Sequence, residues 1–512
     1  MRKQLVLQRG LVLPASILAL LVLSFSGLYS ERAISAQNAP QATGAQNQPA
    51  AGLTEKIERI ENGLLPPTYI QGQAPAQMKL ADRMQFYKTP GLSIAVINNN
   101  RIEWARGYGL LETGGKERVT TETMFQAASI SKPVTAMAAL ALVERGRIKL
   151  DEDVNQKLSS WKVPDNEFTK EKKVTLRGLL THSAGLTVQG FLGYAANEQV
   201  PTLLEILEGQ KPANSVPIRV DTVPGSAYRY SGGGYVVLQQ MLMDVTKKPF
   251  PQFMQETVLR KLGMARSTFE QPLPMPFASM AAAGHLPDGK EIEGKWFVYP
   301  EMAPAGLWTT PTDLARFAIE ILESRAGKSQ KVLSRAMTNQ MLTPQIEGNG
   351  LGLLVAGQGR TARFSFNGSN VGFKCYMVAY MESGQGAVVM TNSENGAALV
   401  LEILRSIAKE YGWPDFQPKE KVIARVDPAI LDAYVGQYEI APNFILTVTK
   451  EGERLISQAT GQPKAELFAE SENKFFLKDA DAQFTFVKDE KGNVIQVNIR
   501  RGTREFQARK IK

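Results

Sequence analysis

The sequence predicts an α+β protein. An antiparallel sheet is assembled from both ends of one large domain, a helical subdomain is inserted between those ends, and a small all-β domain follows. Three observations carry this prediction. Strand patterns lie at residues 91–109 and return at 363–391. The stretch from about Ser129 to Phe317 reads as helical, broken by Pro and Gly loops. After residue 428 only short alternating segments remain, with turns between them.

At 512 residues the chain is long for a single domain. Its 43% apolar content supports large cores, and its 21% charged content is ordinary for a soluble protein. The net charge is +9, yet no basic run is interleaved with aromatics, so no nucleic-acid partner is expected. Arg500, Arg501, Arg504, Arg509, Lys510 and Lys512 alternate with apolar residues, as on the solvent face of strands. Cys375 is the one cysteine, which excludes an intramolecular disulfide. With only His182 and His285 beside it, soft ligands are too few for a structural zinc site. No phosphate-binding loop occurs, and no cofactor or metal is expected.

The chain opens with Met1-Arg-Lys, then Arg9, then an apolar stretch from Leu11 to Tyr29. Residues 1–36 therefore read as a signal peptide or signal anchor. Pro14, Ser16, Ser24, Ser26 and Gly27 make a poor spanning helix, which favours a cleaved signal. Cleavage after Ala36 would place Ile34 at an unfavourable position before the cut. No Cys follows the stretch, so a bacterial lipoprotein is excluded. Positive charges precede it, so the remainder should cross the membrane. The expected location is periplasmic or secreted, with membrane attachment only through an uncleaved anchor. Residues 37–52, rich in Ala, Gln, Asn, Gly and Pro, read as a disordered linker.

The large domain is expected over 53–415. Gly91 to Ile97, a turn at Asn98-Asn99-Asn100 and Arg101 to Gly109 form a hairpin pattern. Strands return at Arg363–Phe366, Phe373–Met381 and Ala387–Thr391. Gly396 to Tyr411 is an amphipathic helix with Leu399, Leu401, Leu404 and Ile407 inward. Residues 416–427 read as a linker, and 428–512 as a meander forming a barrel or half-barrel. Its strand patterns start at Tyr434, Phe444, Arg454, Lys474, Gln483 and Val494.

The chemistry centres on Phe125-Gln-Ala-Ala-Ser129-Ile-Ser-Lys132-Pro133. Residues three apart share a helix face, so hydroxyl and amine can point the same way. Pro133 fits a helix only in its first turn, which puts Ser129 at the helix start. Val134, Met137, Leu140 and Leu142, with alanines between, give a helix apolar nearly all round. Burial disfavours a charged amine, and a neutral amine can take a proton from a hydroxyl. The same spacing recurs at Ser159/Lys162, Ser406/Lys409 and Ser471/Lys474 without a buried small-residue helix. A His-based alternative fits poorly: no Gly-x-Ser-x-Gly elbow occurs, and His182 reads as a hydrogen-bonding structural histidine. His285 lies in a turn-rich stretch and reads as a loop residue. A tyrosine beside the lysine cation would serve as a proton shuttle, and Tyr228, Tyr230 and Tyr235 compete for that role.

Together these residues resemble the serine β-lactamase-related hydrolases: class C β-lactamases, penicillin-binding proteins, family VIII carboxylesterases and D-amino-acid-specific peptidases. Phe125 to Pro133 resembles the family's first motif, and Tyr230-Ser231-Gly232 its Tyr-x-Asn motif. Leu179 to Leu186 and Ala305 to Phe317, with Gly306, are further landmarks, and the match spans about residues 80–410. The resemblance implies a β-lactamase/transpeptidase-like fold, and the tail is similar to the lipocalin-like β domain appended to many of these hydrolases. It implies Ser129 as acylated nucleophile, Lys132 as its base and Tyr230 as acid/base for the leaving group. The third motif falls on Phe366-Asn367-Gly368, and the oxyanion donors would be the N–H groups of Ser129 and Ser369.

Two departures stand out. Gly232 replaces the family's Asn, which removes a side-chain amide contact. Phe366 replaces a Lys or His, and Lys374 or His285 would have to compensate. The oxyanion hole needs only backbone, so acyl chemistry can survive both changes, while efficient recognition of an anionic β-lactam carboxylate is what they weaken. The expectation is a serine hydrolase cleaving ester or amide bonds in small molecules or short peptides. The alternatives are a D-amino-acid-specific or cell-wall peptidase, a weak β-lactamase, and a non-catalytic binding homologue.

Overall fold

The computed structural model describes residues 51–512 except 442, 443, 463, 479, 502 and 503. The N-terminal apolar segment and nearly all of the expected linker lie outside the described residues. Helix α1 (Ala51–Glu61) begins within the span expected as linker, because Ile57 and Ile60 have a core to bury against.

The central sheet has six antiparallel strands: β1 (Gly91–Asn98), β2 (Arg101–Gly109), β3 (Leu354–Ala356), β4 (Arg363–Asn370), β5 (Phe373–Tyr380) and β6 (Gly386–Thr391). Their order is β2-β1-β6-β5-β4-β3, so the early hairpin pairs with the last strand and both ends of the domain build one sheet. Strand β1 is buried on both faces, which explains its continuous apolar run. Leu92, Ile94 and Val96 face one layer, and Ala95 and Ile97 face the other.

Four longer helices complete the layers: α2 (Ser131–Glu144), α3 (Gly232–Thr246), α4 (Pro311–Arg325) and α5 (Gly396–Tyr411). Helix α5 joins α1 on one face, burying Leu399, Ile403, Leu404 and Ile407. Leu401, expected inward, is only partly buried, because two residues past Leu399 is about half a turn away. Helices α2, α3 and α4 lie in the layer on the other face. Helix α2 is buried from Ser131 to Leu142, and each of Val134, Met137, Leu140 and Leu142 contributes roughly 1.5–3 kcal/mol by burial. The helical insert is less regular than expected. Between α2 and α3 only short helices and turns occur, and Phe125–Gln126 pairs with Trp308–Thr309 as a two-stranded piece.

The small domain is a closed barrel of eight antiparallel strands, not a half-barrel. The strands are β7 (Gly436–Ala441), β8 (Phe444–Glu451), β9 (Arg454–Ala459), β10 (Ala465–Ala469), β11 (Lys474–Phe476), β12 (Ala482–Lys488), β13 (Val494–Arg501) and β14 (Arg504–Lys510). Strand β10 is an addition to the expected six, and β14 is the stretch whose alternating charges read as the solvent face of a strand. Aromatic side chains fill the interior, with Tyr434 stacked on Phe486 at 4.4 Å and Phe475 and Tyr438 around them. The expected linker 416–427 contains a strand: Lys419–Lys421 pairs in parallel with Thr68–Ile70 of the large domain. The Thr68 hydroxyl also donates to the Lys478 carbonyl at 2.9 Å, tying the barrel to the sheet domain.

Candidate active site

The chain reaches Ser129 through a tight 3-10 turn, Ala128–Ile130, and the α-helix proper starts at Ser131. Ser129 therefore stands one turn ahead of α2, with Pro133 in the first helical turn. Ala128 has φ of 49°, a left-handed conformation uncommon for an alanine. Its neighbours hold it there. The Ser131 hydroxyl donates to the Ala128 carbonyl at 2.5 Å and accepts the Leu307 N–H at 3.0 Å. The Ala127 N–H donates to the Leu307 carbonyl at 2.8 Å. The Ala127 carbonyl in turn accepts the Cys375 thiol at 3.1 Å.

Lys132 is 2% exposed, while Ser129 is half-buried and reachable. The Lys132 amine donates to Ser129 Oγ at 2.9 Å and to the Pro304 carbonyl at 2.9 Å. The Tyr230 hydroxyl lies 2.9 Å from the same Oγ. Lys132 Nζ also sits 4.9 Å from the Tyr230 ring centroid and 5.8 Å from that of Tyr235. Of the three tyrosines, Tyr230 is the one with a hydrogen bond to Ser129 Oγ. Tyr235 is fully buried in α3 with its hydroxyl toward the Leu180 carbonyl. The Tyr228 ring packs edge-on to His182.

His182 supports Tyr230 from behind, ring to ring at 4.3 Å. Its Nδ1 accepts the Ser231 N–H at 3.2 Å. Burial, and then the Lys132 charge, push its imidazole down to about 3, so it stays neutral. It is the hydrogen-bonding structural residue expected.

Ser231 caps α3, its hydroxyl accepting the Gly234 N–H at 2.9 Å and donating to the Thr187 carbonyl at 2.8 Å. The Gly232 N–H reaches the Gln189 carbonyl, and the Gly233 N–H the Val188 carbonyl, both at 3.0 Å. A Cβ on Gly233 would lie 2.6 Å from the Thr187 carbonyl, so the glycines admit this loop onto the helix end. A Cβ on Gly232 would meet the Phe191 ring and the Gln189 carbonyl at 3.1 Å, so Phe191 occupies room beside the missing side chain.

Strand β4 forms the opposite wall. Gly368 packs against the nucleophile turn, where a Cβ would lie 2.2 Å from the Ala127 carbonyl oxygen. The two-residue turn Val371-Gly372 makes Asn370 and Phe373 a hydrogen-bonded pair. Ser369 opposite Lys374 is then a non-hydrogen-bonded pair, and its N–H turns to the free edge of β4. Strand β3 covers that edge only as far as Ser365, and the Ala128–Ile130 turn packs against β4. The Asn370 amide donates to the Ala305 carbonyl at 3.2 Å, linking this wall to the Lys132 side.

Phe366, expected as a substrate contact, is 5% exposed and packs into the main core, so its side chain offers nothing to a ligand. Asn367 and Ser369 are exposed. Lys374 does not take over a cationic role: its amine is bound to Glu394 at 2.5 Å and the Asn370 carbonyl at 3.1 Å. His285 is buried, with Nδ1 against the Asn392 carbonyl at 2.9 Å and Nε2 accepting the Thr113 N–H at 3.2 Å. Both ring nitrogens are used structurally. The three other Ser-x-x-Lys copies are likewise engaged elsewhere: Ser406 donates to the Ile60 carbonyl, Lys162 to carbonyls of Asn155 and Leu158, and Ser471 to the Asn473 side-chain oxygen at 3.4 Å.

Sequence reading missed Pro304, Ala127 and Ser131. The first two act through carbonyls, which every residue has, so no side-chain signal marks them.

The fold and this constellation define a protein of the β-lactamase and penicillin-binding class. The chain belongs to the Beta-lactamase family, whose model matches residues 77–411. Residues 420–512, the barrel, match a domain of unknown function, DUF3471. Penicillin-binding protein 4* of Bacillus subtilis (strain 168) is 24% identical over 449 residues, 80% of this chain and 92% of that one. The structure of the octameric penicillin-binding protein homologue from Pyrococcus abyssi matches with a TM-score of 0.58 and 21% identity, covering 84% of this chain and 98% of that one. The D-amino acid amidase from Ochrobactrum anthropi SV3, solved with L-phenylalanine amide, matches with a TM-score of 0.54 and 19% identity over 70% of this chain and 98% of its own. At these identities the solved structures establish the fold alone.

Proposed function

We propose that this protein is a serine hydrolase that forms an acyl-enzyme on Ser129 and cleaves ester or amide bonds in small substrates. The observation that carries it is the double approach to one oxygen: Lys132 Nζ and the Tyr230 hydroxyl each lie 2.9 Å from Ser129 Oγ. Once it has shed its own proton, Lys132 takes the hydroxyl proton while Oγ attacks the carbonyl carbon. The oxygen of the tetrahedral intermediate takes the negative charge, within reach of backbone N–H groups that include that of Ser369. Collapse breaks the bond to the leaving alcohol or amine, which receives a proton through Tyr230. Water then attacks the acyl carbon, giving up a proton to the same pair, and Oγ leaves with a proton restored.

The preferred substrates are neutral near the scissile bond. Phe366 is core, and Lys374 is already paired with Glu394, so neither presents a free cation for a substrate carboxylate. The N-terminal charges and apolar run support export, hence a periplasmic or secreted enzyme. A small molecule or short peptide is the partner this reading requires.

The test is labelling with a fluorescent fluorophosphonate, compared between wild type and Ser129→Ala. Loss of labelling and of p-nitrophenyl ester turnover in the variant is the expected result. Equal labelling of both would remove Ser129 as nucleophile. Mass spectrometry of products from ester, amide and short-peptide substrates separates esterase from peptidase.

A further inference from the structure

The segment from Pro300 to Ala305 is the shelf on which the catalytic amine rests. Pro304 presents its carbonyl to Lys132 at 2.9 Å, and Ala303 presents its carbonyl to the Thr135 hydroxyl of the same helix at 3.3 Å. Gln239 of α3 clamps the shelf from the other side, bonding the Pro300 carbonyl at 3.2 Å and the Ala303 N–H at 2.9 Å. At the head of the shelf stands Glu301, with no exposed surface. Neither carboxyl oxygen closes a hydrogen bond with any described residue. A carboxylate so placed is costly, so such a group is retained for a reason or relieved by a proton.

We propose that Glu301 is a positioning residue for the catalytic amine: its buried side chain sets how firmly the shelf is held against Lys132. This rests on the reading of Lys132 as the base of Ser129. Burial pushes the Glu301 carboxyl up to about 8. The Tyr194 hydroxyl and the residue's own N–H, close by but outside hydrogen-bonding geometry, offset that only in part. The titratable groups around it are the hydroxyls of Tyr194 and Tyr299, themselves pushed up by burial. Glu198 acts on Tyr194, and Glu394 on Tyr299. The elements clamping the shelf present neutral Gln239 and Thr135, and the cation Lys132 meets it at Pro304. Near neutral pH the carboxyl keeps its proton and the shelf stays closed. Above that, a negative charge forms where no partner neutralises it, and the backbone must open to let water in. The shelf then releases the Pro304 carbonyl from Lys132.

The experiment is the rate of fluorophosphonate labelling of the full chain from about pH 7 to about pH 9.5, in wild type, Glu301→Gln and Tyr194→Phe. Wild type should lose on the order of tenfold or more across the alkaline limb, because only about 3% of a group of pKa about 8 keeps its proton at about pH 9.5. Glu301→Gln, which cannot ionise, should hold its rate within about twofold. Tyr194→Phe removes the hydroxyl that favours the charge, so its limb should move to higher pH. A limb at the same pH in wild type and Glu301→Gln overturns the proposal. Should the Gln variant not fold, an unmoved limb in Tyr194→Phe overturns it equally. Wild type that fails to label at every pH overturns the Ser129 reading, and this inference with it.

Discussion

The α-hydrogen side of Gly368 faces the carbonyl oxygen of Ala127 so closely that a Cβ there would lie 2.2 Å from it. The same Cβ would lie 2.4 Å from the Cys375 sulfur. Strand β4 and the turn carrying Ser129 therefore meet backbone to backbone, and that contact sets the width of the cleft. Gly368→Ala must push the turn away. It should cost about 1–3 kcal/mol of stability by overpacking. Ester turnover should fall more than tenfold, since a displacement near 1 Å costs on the order of a hundredfold. Ser369→Ala, which keeps its backbone N–H, should retain most activity. Melting curves and kcat/KM for the two variants check this.

Ser129, Lys132 and Tyr230 act as one unit around a single oxygen, so their effects should not add. Tyr230→Phe should lower kcat by a factor on the order of 100 to 10,000, the ordinary range for an acid/base group. Lys132→Ala should lose at least as much, and the double variant little more than the worse single one. Retained melting temperature in Tyr230→Phe distinguishes lost chemistry from lost folding.

Cephalosporin turnover should be poor beside that of neutral esters. A β-lactam carries a carboxylate, and the candidate cation nearest in sequence, Lys374, is neutralised by Glu394. Comparing kcat/KM for a p-nitrophenyl ester and a chromogenic cephalosporin checks it. A cephalosporin rate equal to the ester rate would show that another group binds the anion.

His182 makes a prediction about acid stability. Its imidazole is held down to about 3 in the fold and returns to about 6.5 when unfolded. Between those values the unfolded chain binds a proton that the folded chain does not. Stability is therefore full above about pH 6.5 and falls as pH drops toward 3, by at most roughly 1.4 kcal/mol per pH unit from this group. His182→Gln should flatten that acid slope while weakening the support under Tyr230. Denaturation at a series of pH values, wild type against variant, measures both.

Much of this protein was legible from residue order. The short, mostly apolar runs Gly91–Asn98 and Phe373–Tyr380, bounded by turn residues, marked strands. The all-apolar stretch after Pro133 marked a buried helix, and the spacing of Ser129 and Lys132 placed them on one turn. Strand β10 of the barrel escaped notice, because Ala465–Ala469 is short and weakly patterned, whereas the alternating charges of Arg504–Lys510 already read as the solvent face of a strand. Lys419–Lys421 looked like linker because three charged residues form a strand only when another edge, Thr68–Ile70, is there to pair.

The sequence by itself determined the antiparallel sheet built from both ends of the large domain, the buried helix, and the hydroxyl and amine at its head. These follow from local periodicity and from groups a few residues apart. Only the tertiary structure decided which of three tyrosines reaches Ser129, that Phe366 turns into the core, that Lys374 is bound to Glu394, and that the Pro304 carbonyl holds Lys132. Each of those depends on a partner far away in the chain, and a backbone carbonyl or a buried ion pair leaves no pattern in the residues that flank it.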